Sequence, residues 1–348
     1  TYYITNTIIK YLLIIMTPIQ EIILNKKTTN TPIWLMRQAG RYLPEFRKIR
    51  KSNPNFINLC LDENLCSEIT VQPLRRFELD AAIIFSDILM LPYGLNQKVE
   101  FKKDFGPQLG PLDLETISKI DEIDFLKKLY PIYKSIKKVS GNNLIKNKNL
   151  IGFIGAPWTL LVYMINKHSP KKKLIKDFFK DDFLINRVLI ILEKFLKIHI
   201  NYQIKNGASI IQIFDSWAGL LEEKDLPNYI YIPTLNLVNY VKSLNIPVIC
   251  FPRGIKSYKN YCDIVNPDVI NIDYDVNPNS ISKEINIPIQ GGLDPKILLT
   301  DTENLKKKTL KYLEIFKDHP YIFNLGHGVL PKTNPEMVDY LVKTVKDY

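Results

Sequence analysis

The chain has 348 residues, of which 46% are hydrophobic and 24% charged, ordinary globular values that exclude a wholly disordered or fibrous chain. Lys and Arg total 47 against 36 Asp and Glu, a formal net charge of +11 that points to an anionic partner without naming it. The length admits two average domains or one large α/β barrel.

Residues 1–15 differ in character from the rest of the chain. Their apolar run is broken by Lys10, is too short to span a bilayer and has no small-residue cleavage site. They read as a disordered or spurious N-terminal extension, and 16–348 as one domain, because no Pro/Gly/Ser-rich linker divides it. From there short apolar runs of β type recur at 32–36, 81–86, 150–155, 209–214, 247–251, 268–273, 288–291 and 321–325. Helical spacing fills the intervals, most clearly over 183–205, 228–244 and 302–317. The stretch 96–119 reads as a long loop with a short hairpin, and 140–149 as an exposed turn. Eight apolar strands separated by helices predict a single (β/α)8 TIM-type barrel. A doubly wound sheet is the alternative, but neither a dinucleotide fingerprint nor a phosphate-binding glycine loop follows a strand.

Cys60, Cys66, Cys250 and Cys262 form no C-x-x-C pair, and His168, His199, His319 and His327 are scattered. A reduced, cytosolic protein with buried thiols and no metal site is expected. His199 reads as packing in a long helix, and His319 sits in a turn before Pro320. Heavy use of Ile, Lys and Asn reads as the mark of an AT-rich genome, which weakens the meaning of the positive balance. The lysine runs 171–173 and 306–308 read as solvated faces. Lysines mixed with acids argue against a nucleic-acid-binding face.

The distinctive polar residues fall just after the strands: Arg37 and Arg41, Asp87, Tyr163, Ser216, Arg253, Asp273, Asp294 and His327. In a parallel barrel these positions share the rim that carries active sites. Arg37 and Arg41 flank Gln38, Ala39 and Gly40 in a strand-to-loop turn, which suits a bound carboxylate or phosphate and equally a salt-bridged surface pair. Asp87, between two apolar runs, is a partly buried carboxylate facing N–H donors of a ligand, or a helix cap. His327 between two glycines is a ligand or proton-transfer group, or a satisfied structural histidine. Tyr163 lies about a turn into the helix after Gly155-Ala156-Pro157, aimed at the rim or into the core.

Together these segments carry a resemblance. PIWLMRQAGRYLPEF (32–46) and GFIGAPWTLLVYM (152–164) closely resemble two signatures of the uroporphyrinogen decarboxylase family. QPLRRFELDAAIIFSDIL (72–89), FDSWAG (214–219), QGGLDP (290–295) and FNLGHG (323–328) fit it in order, the first with wording closest to bacterial members. The resemblance implies a (β/α)8 barrel and decarboxylation of the four acetates of uroporphyrinogen III to coproporphyrinogen III, without metal or organic cofactor. It also implies a homodimer in the cytoplasm, with no membrane insertion. It assigns Arg37, Gln38, Ala39, Gly40 and Arg41 to substrate carboxylates and Asp87 to the pyrrole N–H groups. Tyr163, Ser216 and His327 complete the pocket. Asp87, Arg37, Tyr163 and His327 are its catalytic set, with Arg37, Tyr163 and His327 as candidate proton donors. The family's glycine-rich stretch after Tyr163-Met164 is replaced by Ile165-Asn166-Lys167-His168-Ser169-Pro170, which stiffens that loop and adds charge. A related barrel group transfers methyl groups using zinc held by His and Cys, but its H-x-C pattern does not occur here.

Overall fold

A computed structural model describes residues 16–27, 30–102, 105–170, 173–175 and 178–348. The extension expected over 1–15 and part of the lysine run 171–173 lie outside the described residues.

Seven strands form one parallel sheet. They are β1 (Ala81–Ile83), β4 (Asn149–Gly155), β5 (Ile210–Asp215), β6 (Val248–Pro252), β7 (Val269–Ile272), β8 (Ile289–Gly291) and β9 (Tyr321–Ile322). They pair in that order, each with the next strand of the sheet. A separate antiparallel hairpin, β2 (Val99–Lys102) with β3 (Gly106–Leu109), lies between β1 and β4 in the chain. The expected hairpin is therefore present. The same stretch also holds a helix, Leu114–Lys119, started by Asp113, whose carboxylate accepts from Glu115 N and Thr116 N. The sequence reading treated that segment as loop.

The expected first strand, 32–36, is an extended segment with a single parallel bridge, Ile33 to Phe323. Its backbone nevertheless meets both edges of the sheet. Phe323 N donates to Pro32 O (2.8 Å) and Trp34 N to Phe323 O (3.3 Å), while Asp80 N, next to β1, donates to Ile33 O (2.8 Å). No regular ladder forms because several N–H groups here are taken by side chains. Ile33 N donates to Asp80 Oδ2 (2.6 Å), Leu35 N to Gln38 Oε1 (3.0 Å) and Met36 N to Asn324 Oδ1 (3.0 Å). Pro32 has no N–H to give.

The strands are apolar on both faces because both faces are covered. Ile211, Ile213, Val248, Ile270 and Ile289 belong to the large cluster that packs against the helices. The alternate residues form a second cluster with Trp34, Met36, Ala81, Ile151, Ile210, Ile249, Phe251, Val269 and Ile322. That cluster draws on the strands and on one helix alone, Pro18–Asn25, through Ile19 and Ile22. It is the inner face of a curled sheet. The helix covers the end where β4 begins, since the Thr17 hydroxyl bonds the Asn149 side chain. The opposite end, where the strands finish, remains for the site.

A polar band crosses this inner face. Trp34 Nε1 donates to Gln290 Oε1 (2.8 Å), and Gln290 Nε2 donates to Asn271 Oδ1 (2.7 Å). All three side chains are fully buried, so these bonds offset a desolvation cost, helped by the longer approach of Gln290 Nε2 to Gln212 Oε1 (3.4 Å).

Two long helices fall where the periodicity places them, at Asp182–Lys205 and Thr302–Phe316. The third, expected over 228–244, is helical from Ile232–Ser243, after a wider turn at Pro227–Tyr231. Cys60, Cys66 and Cys250 are buried, Cys262 is half-buried, and all are free thiols. No helix among the described residues is long and apolar enough to cross a membrane. Replacing Trp34 by Phe leaves Gln290 Oε1 buried and unpaired. We expect this to lower stability by about 2 kcal/mol, read as a reduced urea midpoint at unchanged slope.

Candidate active site

The ends of the parallel strands gather one charged cluster. Arg37 follows the 32–36 segment, and its backbone sits in the left-handed region at φ 60°. An arginine there costs about 1 kcal/mol relative to ordinary backbone, and such positions mark sites where the surroundings impose the geometry. The loop that imposes it is tightly bonded. Gln38 Nε2 donates to Ala81 O (3.0 Å), Gln38 N to Leu35 O (3.0 Å) and Tyr42 Oη to Gln38 O (2.8 Å). The Arg37 side chain then runs against Gly328. A Cβ at that glycine would collide with the Arg37 methylenes, so this approach needs glycine.

Asp87 lies beyond β1. Its Oδ1 accepts from Leu89 N (2.9 Å), which holds the carboxylate at the mouth of the next helical turn. Of the sequence's two alternatives the helix cap is not realised: the helix Met90–Gly94 starts from Leu89, which makes no side-chain cap bond, and Asp87 is a partly buried carboxylate that closes the turn before it. Asp87 keeps a water-accessible face yet is hemmed in by protein, as at the wall of a recess. Burial pushes its carboxyl up to about 6, opposed by the bond from Leu89 and by the charge of Arg37.

Tyr163 stands on the helix Pro157–Asn166. Burial raises its hydroxyl to about 12, with the Asp87 charge adding to the effect. His327 completes the group. Burial, then the charges of Arg37 and Arg253, hold its imidazole down to about 3, so it is neutral at physiological pH. Arg37 is exposed by surface area, yet its guanidinium is lowered, first by desolvation, against the attraction of Asp87, and Arg41, Tyr163 and Arg253 also act on it. Those mutual effects put Arg37, Asp87, Tyr163, His327 and Arg253 close to one another. Arg41 is exposed at its edge, and its carbonyl accepts from Arg47 Nη1 (3.1 Å).

Other expected residues sit differently. Gln38 is fully buried, and its amide group is spent on the loop and on Ala81, so it shapes the Arg37 turn. Ala39 and Gly40 are half-buried loop residues of the same turn. Ser216, at the end of β5, has no hydrogen bond to the Asp87 group, but both of its neighbours are pinned. Thr159 Oγ1 donates to Asp215 Oδ1 (2.6 Å) and accepts from Trp217 N (3.1 Å), while Trp158 Nε1 donates to Trp217 O (2.9 Å). The Trp217 ring meets Tyr163 edge-on at 5.9 Å. The first turn of one helix therefore fixes the Ser216 turn relative to Tyr163. The sequence reading missed this, because an Asp-Ser-Trp triplet does not say which helix holds it.

Asp294 caps the short helical turn Pro295–Leu299 through Lys296 N (2.9 Å) and belongs to the scaffold. His199 bonds Tyr133 Oη (2.9 Å) inside the helical layer, and His319 Nε2 lies 2.7 Å from Ile285 O; both are structural. The altered loop is anchored rather than loose. Leu109 N donates to Lys167 O (2.7 Å), and His168 bridges Gln108 of the hairpin. Among the described residues no group of three or more His, Cys, Asp or Glu is placed to hold a metal ion. Three aromatic rings, Phe153, Phe214 and Phe251, meet edge-on where their strands end on the inner face, giving this end of the sheet an apolar lining.

Comparison with known proteins bears on this arrangement. The family model described as uroporphyrinogen decarboxylase (URO-D) matches residues 16–348. A protein of Rickettsia bellii (strain RML369-C) named uroporphyrinogen decarboxylase is 41% identical over 324 residues, covering 91% of this chain and 95% of that protein. One of the same name from Rickettsia felis (strain ATCC VR-1525 / URRWXCal2) is 40% identical over 333 residues, covering 93% and 95%. Among solved structures, a methyltransferase from Methanosarcina mazei superposes with a TM-score of 0.76 at 15% identity, covering 95% of this chain and 99% of that one; the likeness is one of fold.

The raised Asp87 carboxyl has a stability signature. Its folded value, about 6, exceeds the ordinary 3.8, so the native state binds the proton more tightly than the unfolded chain does. The ionised group therefore opposes folding, fully above pH 6 and not at all below about pH 4. Asp87→Asn is expected to be more stable than the parent by about 1–2 kcal/mol at pH 7.5, allowing for the water-accessible face. The gap should close as pH falls from 6 to 4. Equal thermal midpoints at pH 7.5 would show that burial does not strain the carboxylate.

Proposed function

The chain belongs to the uroporphyrinogen decarboxylase family, and we propose that it removes the four acetate carboxylates of uroporphyrinogen III to give coproporphyrinogen III in porphyrin and haem biosynthesis. The observation that supports this reading is that Arg37, Asp87, Tyr163 and His327, which all come soon after strand segments, lie near enough to act on one another's ionisation.

Each residue has a task that its environment supports. Loss of CO2 from an acetate leaves an electron pair that needs a sink. Protonating the adjacent pyrrole carbon turns the ring into that sink, and the cation so formed needs a fixed negative charge. Asp87 supplies the charge and accepts the pyrrole N–H bonds, having one oxygen committed to Leu89 and the other unspent. Arg37 holds a substrate carboxylate, with Arg41 at the edge. Ser216, Gln38, Ala39 and Gly40 are assigned to the substrate pocket. Gln38 acts through the shape of the Arg37 turn.

Of the three proton donors considered, His327 is neutral at working pH and Tyr163 is pushed to about 12. Arg37 is a guanidinium, which rarely releases its proton, so its task is to position a carboxylate, and the three candidates stay unranked as donors. Neutral His327 serves as a hydrogen-bonding wall. The reaction as read calls for no metal or organic cofactor. We further read 32–36 as the eighth strand, which closes the sheet into a (β/α)8 barrel; its bonds to Phe323 and Asp80 support this. A cytoplasmic homodimer built on the single domain 16–348 belongs to the same reading.

The test is anaerobic incubation with freshly reduced uroporphyrinogen III, and then oxidation and separation of products by carboxylate count. Stepwise loss of four carboxylates without additives is expected. Substrate bound but unchanged would sink the reading. In Asp87→Asn, kcat/KM is expected to fall at least about 100-fold in a folded protein. In the parent, kcat/KM is expected to drop on the acid side near pH 6, as Asp87 of the free enzyme takes up its proton. That limb should persist in His327→Gln, because His327 does not titrate there.

A further inference from the structure

One cation of the recess has no task in the decarboxylation chemistry so far. Arg253 follows β6, and its position is fixed by backbone on both sides. Arg253 N donates to Asp215 O (3.0 Å), and Arg253 O accepts from Gly219 N (3.0 Å). The next residue, Gly254, has φ 77° and lies so close to Gly219 that a Cβ on Gly219 would meet Gly254 O at 2.5 Å. The turn therefore has little freedom to swing.

Its side chain is aimed as firmly. Nε donates to Asp273 Oδ2 at 3.0 Å. Asp273 is itself held, with Oδ1 accepting from Tyr274 N (2.8 Å) and its own N donating to Tyr258 Oη (3.2 Å). The guanidinium carbon lies 6.0 Å from the centroid of the Tyr274 ring. The Asp273 side chain is 6% exposed, against 27% for that of Arg253. Only Nε is used by the carboxylate, and among the described residues the two terminal nitrogens have no hydrogen-bond partner. The charge of Arg253 is felt at both Arg37 and His327, so Arg253 lies close to these two residues. A purely structural ion pair would commit more of the fork to its partner. This one leaves the edge that matches a carboxylate in bidentate fashion.

We propose that Arg253, aimed by Asp273, binds a side-chain carboxylate of the substrate on the wall beside His327. The inference rests on the decarboxylase reading and adds a residue to it. The role is uniform binding, felt in ground state and transition state alike, so it predicts a KM effect with kcat largely kept.

The experiment compares the parent with Arg253→Gln and Arg253→Lys in two assays. The first is turnover of uroporphyrinogen III. The second is binding of uroporphyrin I, an octacarboxylate probe, by fluorescence over a series of salt concentrations. Arg253→Gln is expected to raise KM about tenfold, to keep kcat within about threefold, and to weaken probe binding about tenfold with a shallower salt dependence. Arg253→Lys, which keeps the charge but not the fork, should fall between. If Arg253→Gln fails to fold because Asp273 is left unpaired, the double variant with Asp273→Asn removes both charges and takes its place. Parent-like KM and probe affinity would overturn the proposal, as would a loss of kcat at unchanged KM and affinity. A parent that binds the probe but releases no CO2 would sink the decarboxylase reading, and the binding assay alone would then decide Arg253.

Discussion

The constraint on which the site depends is the upkeep of a carboxylate in a recess that favours its neutral form. Asp87 receives one backbone N–H and the attraction of Arg37, and these do not fully offset desolvation. A carboxylate so placed is poorly solvated, and that makes it a strong acceptor for N–H groups and a strong counter-charge for a cation forming beside it. Much of the nearby geometry serves to bring Arg37 there. Its left-handed backbone, the buried Gln38 amide and the bare Gly328 against its methylenes are all means of delivering one guanidinium to one place. The gain is electrostatic and local, whereas the strain is spread over a loop that the surrounding sheet can hold.

The sheet can hold it because its inner face is sealed elsewhere. The helix Pro18–Asn25 covers one end with Ile19 and Ile22, and the Trp34–Gln290–Asn271 band crosses the middle. Above that band the inner face becomes aromatic, with Phe153, Phe214 and Phe251, and only then charged. This order, from apolar plug to polar band to aromatic lining to charged rim, is set by the two-residue period of the strands. The same period sends Ile211 and Ile213 outward to the helices while Ile210 and Phe214 point in.

That periodicity also explains what the sequence could disclose. Seven of the eight apolar runs coincide with strands of the parallel sheet, because a run buried on both faces has no polar alternative. The run 32–36 was legible as extended chain but not as a broken ladder, since the diversion of its N–H groups to Asp80, Gln38 and Asn324 is a long-range event. The helix Leu114–Lys119 was missed because it is short and mostly polar; its one clear mark was Asp113 at the start. Within the site, Arg37, Asp87, Tyr163 and His327 were visible as polar residues after strands. Gln38 was legible as part of the Arg37–Arg41 loop, but the hold of its buried amide on Leu35 and Ala81 was not, being a tertiary event. The Thr159 link between Asp215 and Trp217 had no sequence signal, as it joins two segments more than fifty residues apart.

The two arginine–carboxylate couples of the rim show how one chemistry is put to two uses. In the Arg253 couple the contact is direct, at 3.0 Å, and the carboxylate is almost wholly covered. Its charge is spent on aim, and what remains available is the cation. In the Arg37 couple attraction acts without a contact ion pair among the described residues, and the carboxylate keeps an unspent oxygen. What remains available there is the anion as well. A substrate that carries many carboxylates around a ring of N–H donors needs both kinds of partner, cations at its rim and an anion at its centre. Burial first, and then the nearby charges of Arg37 and Arg253, hold His327 toward its neutral form, since a further positive charge there would be poorly solvated and repelled.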